Sequence, residues 1–327
     1  MASVAGRPSF FNPVQRDVLE ALEPFVTART QAHLDRRKLW FPNELMSAGT
    51  DAAVPVDTEL QQLRDAARGL PDQVRVALAI NLLTEEGLPH FHRLIAVYLG
   101  NESPWSTWNN LWTAEEDRHG CVMRDYVRDA RIFDMDALER MQYRYIESGF
   151  NPAWERDPYR LLAYTSLQER ATQMAHANTG RSCSAYEPKI QRILAHISGD
   201  ESRHYVFYRS VFNEIIEQDT ERALYALLKV MPALAMPGHT ILNYDLMSEV
   251  VRRGDIYGPR HYQKIVEELL AFWHIGERTG LAARGRELQD KLMKIPARLA
   301  RMVNYVAGKS TPREFVFDFL GDRPIKL

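Results

Sequence analysis

Apolar residues recur at three- and four-residue intervals over most of the chain, the period of helices that bury one face. From Asp72 a run carrying Val76, Leu78, Ala79, Leu82 and Leu83 predicts one long helix that ends near Gly100. Ser103 followed by Pro104 is a cap with proline at the first helical position, and it opens a second helix through Trp105, Trp108, Leu111 and Trp112 toward Val127. Asp134 starts a shorter helix to Gly149, Asp157-Pro158 repeats the cap-plus-proline start for a helix through Gln173 and Ala177, and Pro188 opens another through Asp200 to Gln218. Further helices are predicted over residues 220–230, 238–253, 259–279 and 282–306. Alternating β-branched runs bounded by turn pairs are scarce, so the fold class is all-α. Residues 45–58, rich in small residues and proline, predict a loop. It divides an N-terminal arm and first helix (1–70), packed on a bundle, from the bundle itself (71–327), all within one large helical domain.

Composition narrows the classes of function. The chain has 327 residues, 45% hydrophobic and 26% charged, which are ordinary globular proportions and exclude disordered and collagen-like chains. A net charge of −2 without any basic block gives no footprint for nucleic acid. The two cysteines, Cys121 and Cys183, lie in no metal-ligand spacing, which points to a reducing cytoplasm. The longest run free of Asp, Glu, Lys and Arg, residues 230–244, is too short for a membrane span and contains Pro232 and Pro237. No Gly-rich phosphate loop or dinucleotide fingerprint is found.

A repeat carries the candidate chemistry. Glu116-x-x-His119 recurs as Glu201-x-x-His204, each preceded by another acid, Glu115 and Asp200. Residues i and i+3 lie on one helix face, so each Glu and His can reach one point, but a single such pair is common on solvated helices. A second layer of repetition changes this. Glu85 precedes Glu116 by 31 residues and Glu169 precedes Glu201 by 32, so a lone Glu followed by a Glu-x-x-His helix occurs twice in register. One Glu from each of two helices and Glu-x-x-His from each of two others is the ligand set of ferritin-like di-iron or di-manganese bundles. Ligands without thiolate suit iron or manganese better than zinc. The repeat also offers Asp200 to orient His119 and Glu115 to orient His204, because metal-bound histidines usually donate their second nitrogen to a carboxylate. His90 and His92 are read as core or cavity histidines.

The stretches TEEGLP (84–89), WTAEEDRHG (112–120), SLQERAT (166–172), HANTGR (176–181) and DESRH (200–204) resemble the soluble acyl-[acyl-carrier-protein] desaturases, the family of plant stearoyl desaturases and their actinobacterial relatives. The resemblance runs from about Asp17 to the terminal DRPIKL. It implies a ferritin-like fold and two iron ions per chain, cycling between Fe2+ and Fe3+, on Glu85, Glu116, His119, Glu169, Glu201 and His204. It implies that Trp40, with Asp200 and His119, forms an electron route to iron. It sets Thr172 beside the oxygen-binding face, where a hydroxyl can hand on a proton, and Leu94, Val97 and Tyr98 along the acyl tunnel. The connection around Asn101 is shorter than in the plant enzymes, and no plastid transit segment is expected.

The function so implied is the O2-dependent insertion of a cis double bond into an acyl chain held on acyl carrier protein, with a ferredoxin-type electron donor, in a cytoplasmic homodimer. Two alternatives share the ligand set: a ferroxidase or iron-storage protein, and a di-iron oxygenase that hydroxylates or N-oxygenates another substrate. Length and the quoted stretches argue against the first, whereas only product analysis separates the second.

Overall fold

Cap chemistry sets most of the long helices. The computed structural model describes residues 12–46, 56–152, 154, 156–233, 237–308 and 311–327. In chain order the helices are α1 (Pro13–Ala21), α2 (Glu23–Arg36), α3 (Pro42–Met46), α4 (Val56–Arg68), α5 (Asp72–Glu85), α6 (Leu88–Leu99), α7 (Pro104–Ala130), α8 (Met135–Ser148), α9 (Pro158–Cys183) and α10 (Pro188–Gln218). They continue with α11 (Thr220–Val230), α12 (Tyr244–Arg253), α13 (Pro259–Phe272), α14 (Ala283–Met293) and α15 (Ile295–Gly308). Ser103 accepts from the Trp105 amide while Ser106 accepts from the Ser103 amide, a reciprocal capping box on α7. Asp157 accepts from Tyr159 N at 2.9 Å on α9, and Glu187 accepts from Lys189 N at 3.0 Å on α10. Each of these caps is followed by proline, whose missing N–H costs nothing in a first turn.

Five expectations about boundaries change. The single helix expected from Asp72 to Gly100 is two, α5 and α6, because Pro89 has no N–H to continue the ladder and fits only a first turn. A Cβ on the intervening Gly87 would stand 2.6 Å from the Tyr145 hydroxyl, so the break is also packed in place. Residues 282–306 likewise divide at Lys294 ahead of Pro296. The stretches 238–253 and 259–279 each hold an α-helix and a short 3-10 turn. Of the expected loop, residues 45–46 end α3, residues 56–58 begin α4, and 47–55 lie outside the described residues.

Helices α5, α7, α10 and α9 pack in a closed ring, each against the next, which is the four-helix bundle. Helices α2, α3 and α4 lie on α7, with α2 and α3 also on α10. Helix α12 covers α5, α11 and α13 cover α9, and α14 and α15 pack on these. Among the described residues the only strands are a two-residue antiparallel pair, Glu314↔Lys326 and Phe315↔Ile325. No helix there is long and apolar enough to cross a membrane.

The apolar core is divided by a charged layer. Along α7, Trp108 and Trp112 belong to one cluster and Val122, Met123 and Tyr126 to another, with Glu115, Glu116, Arg118 and His119 between them. Along α10 the order reverses: Ile193 and Ile197 belong to the second cluster, then come Asp200, Glu201 and His204, then Phe207 and Tyr208 in the first. The acids and histidines of the repeat are thus held at one level, with hydrophobic packing above and below.

Candidate metal centre

Each ring helix brings its part of the repeat to that level. Glu85, Glu116, His119 and Glu201 form one group whose ligand atoms all lie within 4.8 Å of one another, and Glu116, Glu169, Glu201 and His204 form a second on the same criterion. Glu116 and Glu201 belong to both, so the six residues make two adjoining, fully buried sites with two shared carboxylates. Nδ1 of His119 lies 3.3 Å from Glu116, 3.5 Å from Glu85 and 3.5 Å from Glu201. Nδ1 of His204 lies 2.9 Å from Glu116 and 3.6 Å from Glu169.

The opposite ring nitrogens are held by the acids that precede the motifs, each across the bundle. Nε2 of His119 is 3.2 Å from Asp200 Oδ2, and Nε2 of His204 is 2.9 Å from Glu115 Oε2. An ionised carboxylate has no hydrogen to give, so both Nε2 atoms are donors and both Nδ1 atoms are left to face the cluster.

Burial and crowding distort the ionisation of this layer. Burial and the charge of Glu201 push Glu116 up and Glu169 well up from the usual carboxylate range. Burial also opposes ionisation of Glu85, but the adjoining His119 and the hydrogen-bonded His176 outweigh it and hold that carboxyl low. Glu115 is held low in the same way by His204 and His33, and Asp200 by His119. Against their own burial, His119 and His204 are pushed well above the usual imidazole value by the surrounding carboxylates. Protons therefore supply the positive charge in the metal-free protein.

The donors fit a metal pair. Nδ1 of both histidines, Glu116 Oε1 and Glu169 Oε2 are buried without a hydrogen-bond partner, and all belong to the two groups. Buried polar atoms left unmatched cost free energy, and a divalent cation is the partner that carboxylates and imidazoles converging without thiolate would take. Four carboxylates with two neutral imidazoles balance the charge of two divalent ions.

Four supporting residues came from no sequence signal or only an unused one. His33 of α2 lies 2.9 Å from the same Glu115 oxygen that faces His204, and Arg37 holds the other oxygen at 3.2 Å. His176 lies 2.6 Å from Glu85. It stands seven residues after Glu169, two helical turns along the same face, which is the spacing that could have revealed it. Trp112 donates its indole N–H to Glu169 at 3.2 Å.

The remaining expected residues fall in two sets. Trp40 is buried, donates to Asp200 at 2.8 Å and stacks on His119 with ring centroids 6.1 Å apart, so Trp40, Asp200 and His119 are in continuous contact. Arg118 lies over its ring and donates to both the Trp40 carbonyl and Asp200. Thr172 stands 2.8 Å from Glu201 Oε2 and also within reach of the Gln168 and Glu169 carbonyls. Leu94 and Tyr98 pack in the core beside Phe91, whereas Val97 is exposed, and none of the three lines the cavities described next. His90 and His92 bond the Ile146 carbonyl and Thr113 and take no part in the cluster.

A largely apolar cavity of about 590 Å³ runs between α5, α9, α12, α13 and α15 to Thr84 and Thr172. The same two threonines bound a much smaller space of about 20 Å³ against Glu85, Glu116 and Glu201, closed behind by Phe91 and Trp112. That is room for about one water-sized molecule.

Fold and site together define a helical-bundle protein with a buried carboxylate and histidine centre opening on an apolar cavity. The chain belongs to the fatty acid desaturase family, which it matches over residues 14–320. It is 31% identical over 334 residues to the chloroplastic stearoyl-[acyl-carrier-protein] 9-desaturase of Gossypium hirsutum, covering 96% of this chain and 83% of that one. It is 33% identical over 287 residues to DesA1 of Mycobacterium tuberculosis, which carries the name of an acyl-[acyl-carrier-protein] desaturase, covering 84% and 83% of the two chains. The X-ray structure of DesA2 from Mycobacterium tuberculosis shares the fold, with a TM-score of 0.60 at 19% identity over 83% of this chain and 99% of that one.

Proposed function

We propose that the protein is an acyl-[acyl-carrier-protein] desaturase that uses O2 and a ferredoxin-type reductant, with two irons held by Glu85, Glu116, His119, Glu169, Glu201 and His204. The observation that carries this reading is the meeting, at Thr84 and Thr172, of a cavity suited to an alkyl chain and a buried layer suited to a metal pair. A storage or ferroxidase protein has no use for such a cavity.

Methylene C–H bonds are essentially non-acidic, so no side-chain base in the cavity can remove them; a bound iron pair supplies the oxidising power of O2 instead. The chain's own residues supply the rest. Apolar walls hold the alkyl segment in fixed register and exclude water, which is how binding energy becomes positioning. Thr172 bridges the cavity and Glu201, so its hydroxyl is poised to pass a proton at the Oε2 side of that carboxylate. Asp200 and Glu115 fix the tautomers of His119 and His204. Trp40, in contact with Asp200 and His119, gives electrons a packed route inward from the α2–α3 side.

The test is turnover of defined acyl carrier proteins with ferredoxin, a reductase and O2, followed by mass spectrometry of the released chains. The expected product is lighter by two hydrogens. A product heavier by one oxygen would make the protein an oxygenase, and iron oxidation without any change in the chain would make it a ferroxidase.

A further inference from the structure

Helices α9 and α13 carry two different faces. Thr172, Ala175 and His176 of α9, with Pro259 and Tyr262 of α13, line the large apolar cavity. One step round the same two helices, Asn178, Arg181 and Ser182 with Arg260, His261 and Lys264 line a second cleft of about 440 Å³. The two spaces lie on opposite sides of one wall, whose residues alternate between them: Ala175, His176, Gly258, Pro259 and Tyr262 border the cavity, and Met174, Asn178, Arg260 and His261 border the cleft.

The cleft is cationic on a chain whose overall charge is −2. Arg181, Arg260 and Lys264 are exposed, and Asp255 is the one carboxylate in the lining, paired with Arg260 at 2.5 Å. Lys264 forms no ion pair among the described residues. His261 is buried at the cleft floor; burial holds its imidazole below the usual value, and Arg260, Lys264 and Arg181 add to this against Asp255. Three cations thus converge on one concavity with a single counter-charge, a field that attracts an anionic partner and falls off with salt.

We propose that this cleft docks the acyl carrier protein, with the phosphodiester of its prosthetic arm and the neighbouring carboxylates facing Arg181, Arg260 and Lys264, while the acyl arm crosses the Gly258–Pro259 turn into the cavity. This rests on the acyl-carrier reading of the function. An acidic electron donor is the competing occupant, but the Trp40 route leaves the centre through the α2–α3 segment, which packs on α7 and α10. The cleft borders the substrate cavity instead.

The experiment compares wild type with Arg260→Gln/Lys264→Gln and Arg260→Glu/Lys264→Glu, measuring affinity for stearoyl-loaded carrier protein, reduction by ferredoxin, iron content and thermal melting. Both side chains are exposed, so iron content and melting should match wild type. The charge-reversed pair is expected to bind the carrier about tenfold or more weakly, the neutral pair less so, with ferredoxin reduction unchanged and wild-type binding weakening as salt rises. Carrier affinity within about twofold of wild type in the reversed pair, while wild type still desaturates its substrate, would overturn the docking site and leave the functional reading standing. Slowed ferredoxin reduction with intact carrier binding would assign the cleft to the electron donor and overturn the proposal. A wild-type protein that neither binds nor turns over any acyl carrier would overturn the functional reading itself and docking with it.

Discussion

Asp200 of α10 stands 3.2 Å from Nε2 of His119 on α7, and Glu115 of α7 makes the mirror arrangement with His204 of α10 at 2.9 Å. Each acid therefore adjoins one candidate ligand in sequence and serves the histidine of the other helix in space. Asp200→Asn keeps a hydrogen-bonding group but removes the charge that makes His119 a strong donor to metal. The expected cost is on the order of 10- to 100-fold in iron affinity or activity. Iron titration of the variant checks it, and affinity within twofold of wild type would place Asp200 outside the centre.

His33 extends the second of these pairs. Its Nε2 lies 2.9 Å from Glu115 at a site where both side chains are buried, so His33→Ala leaves a buried carboxylate with one donor fewer. The expected loss is about 1–3 kcal/mol of stability, with weaker iron retention, whereas His33→Gln should restore much of both. Thermal melting and iron content of the two variants, measured side by side, decide it.

The sign of the pH dependence follows from the histidines. In the metal-free protein His119 and His204 are raised well above their ordinary 6.5, so the stability they contribute is fully present below that value and is lost as pH rises through their folded values. Metal requires neutral imidazoles, so binding must expel these protons. Iron affinity should therefore increase with pH from about 6 upward, with proton release measurable in weakly buffered solution. An affinity independent of pH would contradict the ionisation described here.

How much of this could be read in the sequence depended on where the information lies. Helix starts at Ser103, Asp157 and Glu187 are local signals, a cap followed by proline, and they are where the chain pattern puts them. The six residues singled out by the Glu and Glu-x-x-His repeat are the ones the structure gathers, because a repeat records a two-fold relation between helices. Gly87 was illegible because apolar periodicity runs straight through it, and the break comes from Pro89 and the approach of Tyr145. His33 lies 82 residues from Glu115 on a helix outside the ring, and no spacing rule links them. The cavity was invisible for the same reason, since its walls come from five helices joined only by folding.

Trp40 offers a separable test of electron delivery. Trp40→Phe keeps an aromatic ring in a buried position but removes the indole N–H that reaches Asp200 at 2.8 Å. Iron content should be retained, reduction by a small chemical reductant should be unchanged, and reduction by ferredoxin should slow. Equal ferredoxin rates in the two proteins would remove Trp40 from the route.

The cavity itself can be tested without touching the candidate ligands. Ala175 lies on its wall between Thr172 and Arg181 along α9, one turn from the point where the cavity meets the small space beside Glu201. Ala175→Phe fills part of the about 590 Å³ with a rigid ring at a helix-propensity cost of only about 0.5 kcal/mol. If the alkyl chain lies there, the variant should bind iron as wild type does and still reduce with ferredoxin, but desaturate a long acyl chain at least about tenfold more slowly, because a small misplacement at a reacting centre is costly. A shorter chain should lose less than a long one. Full activity on long chains would mean that the substrate approaches the metal layer by another path. Loss of iron would show that the ring had disturbed Glu169 or Glu201, and Ala175→Leu, which adds less bulk at the same point, would then be the deciding variant.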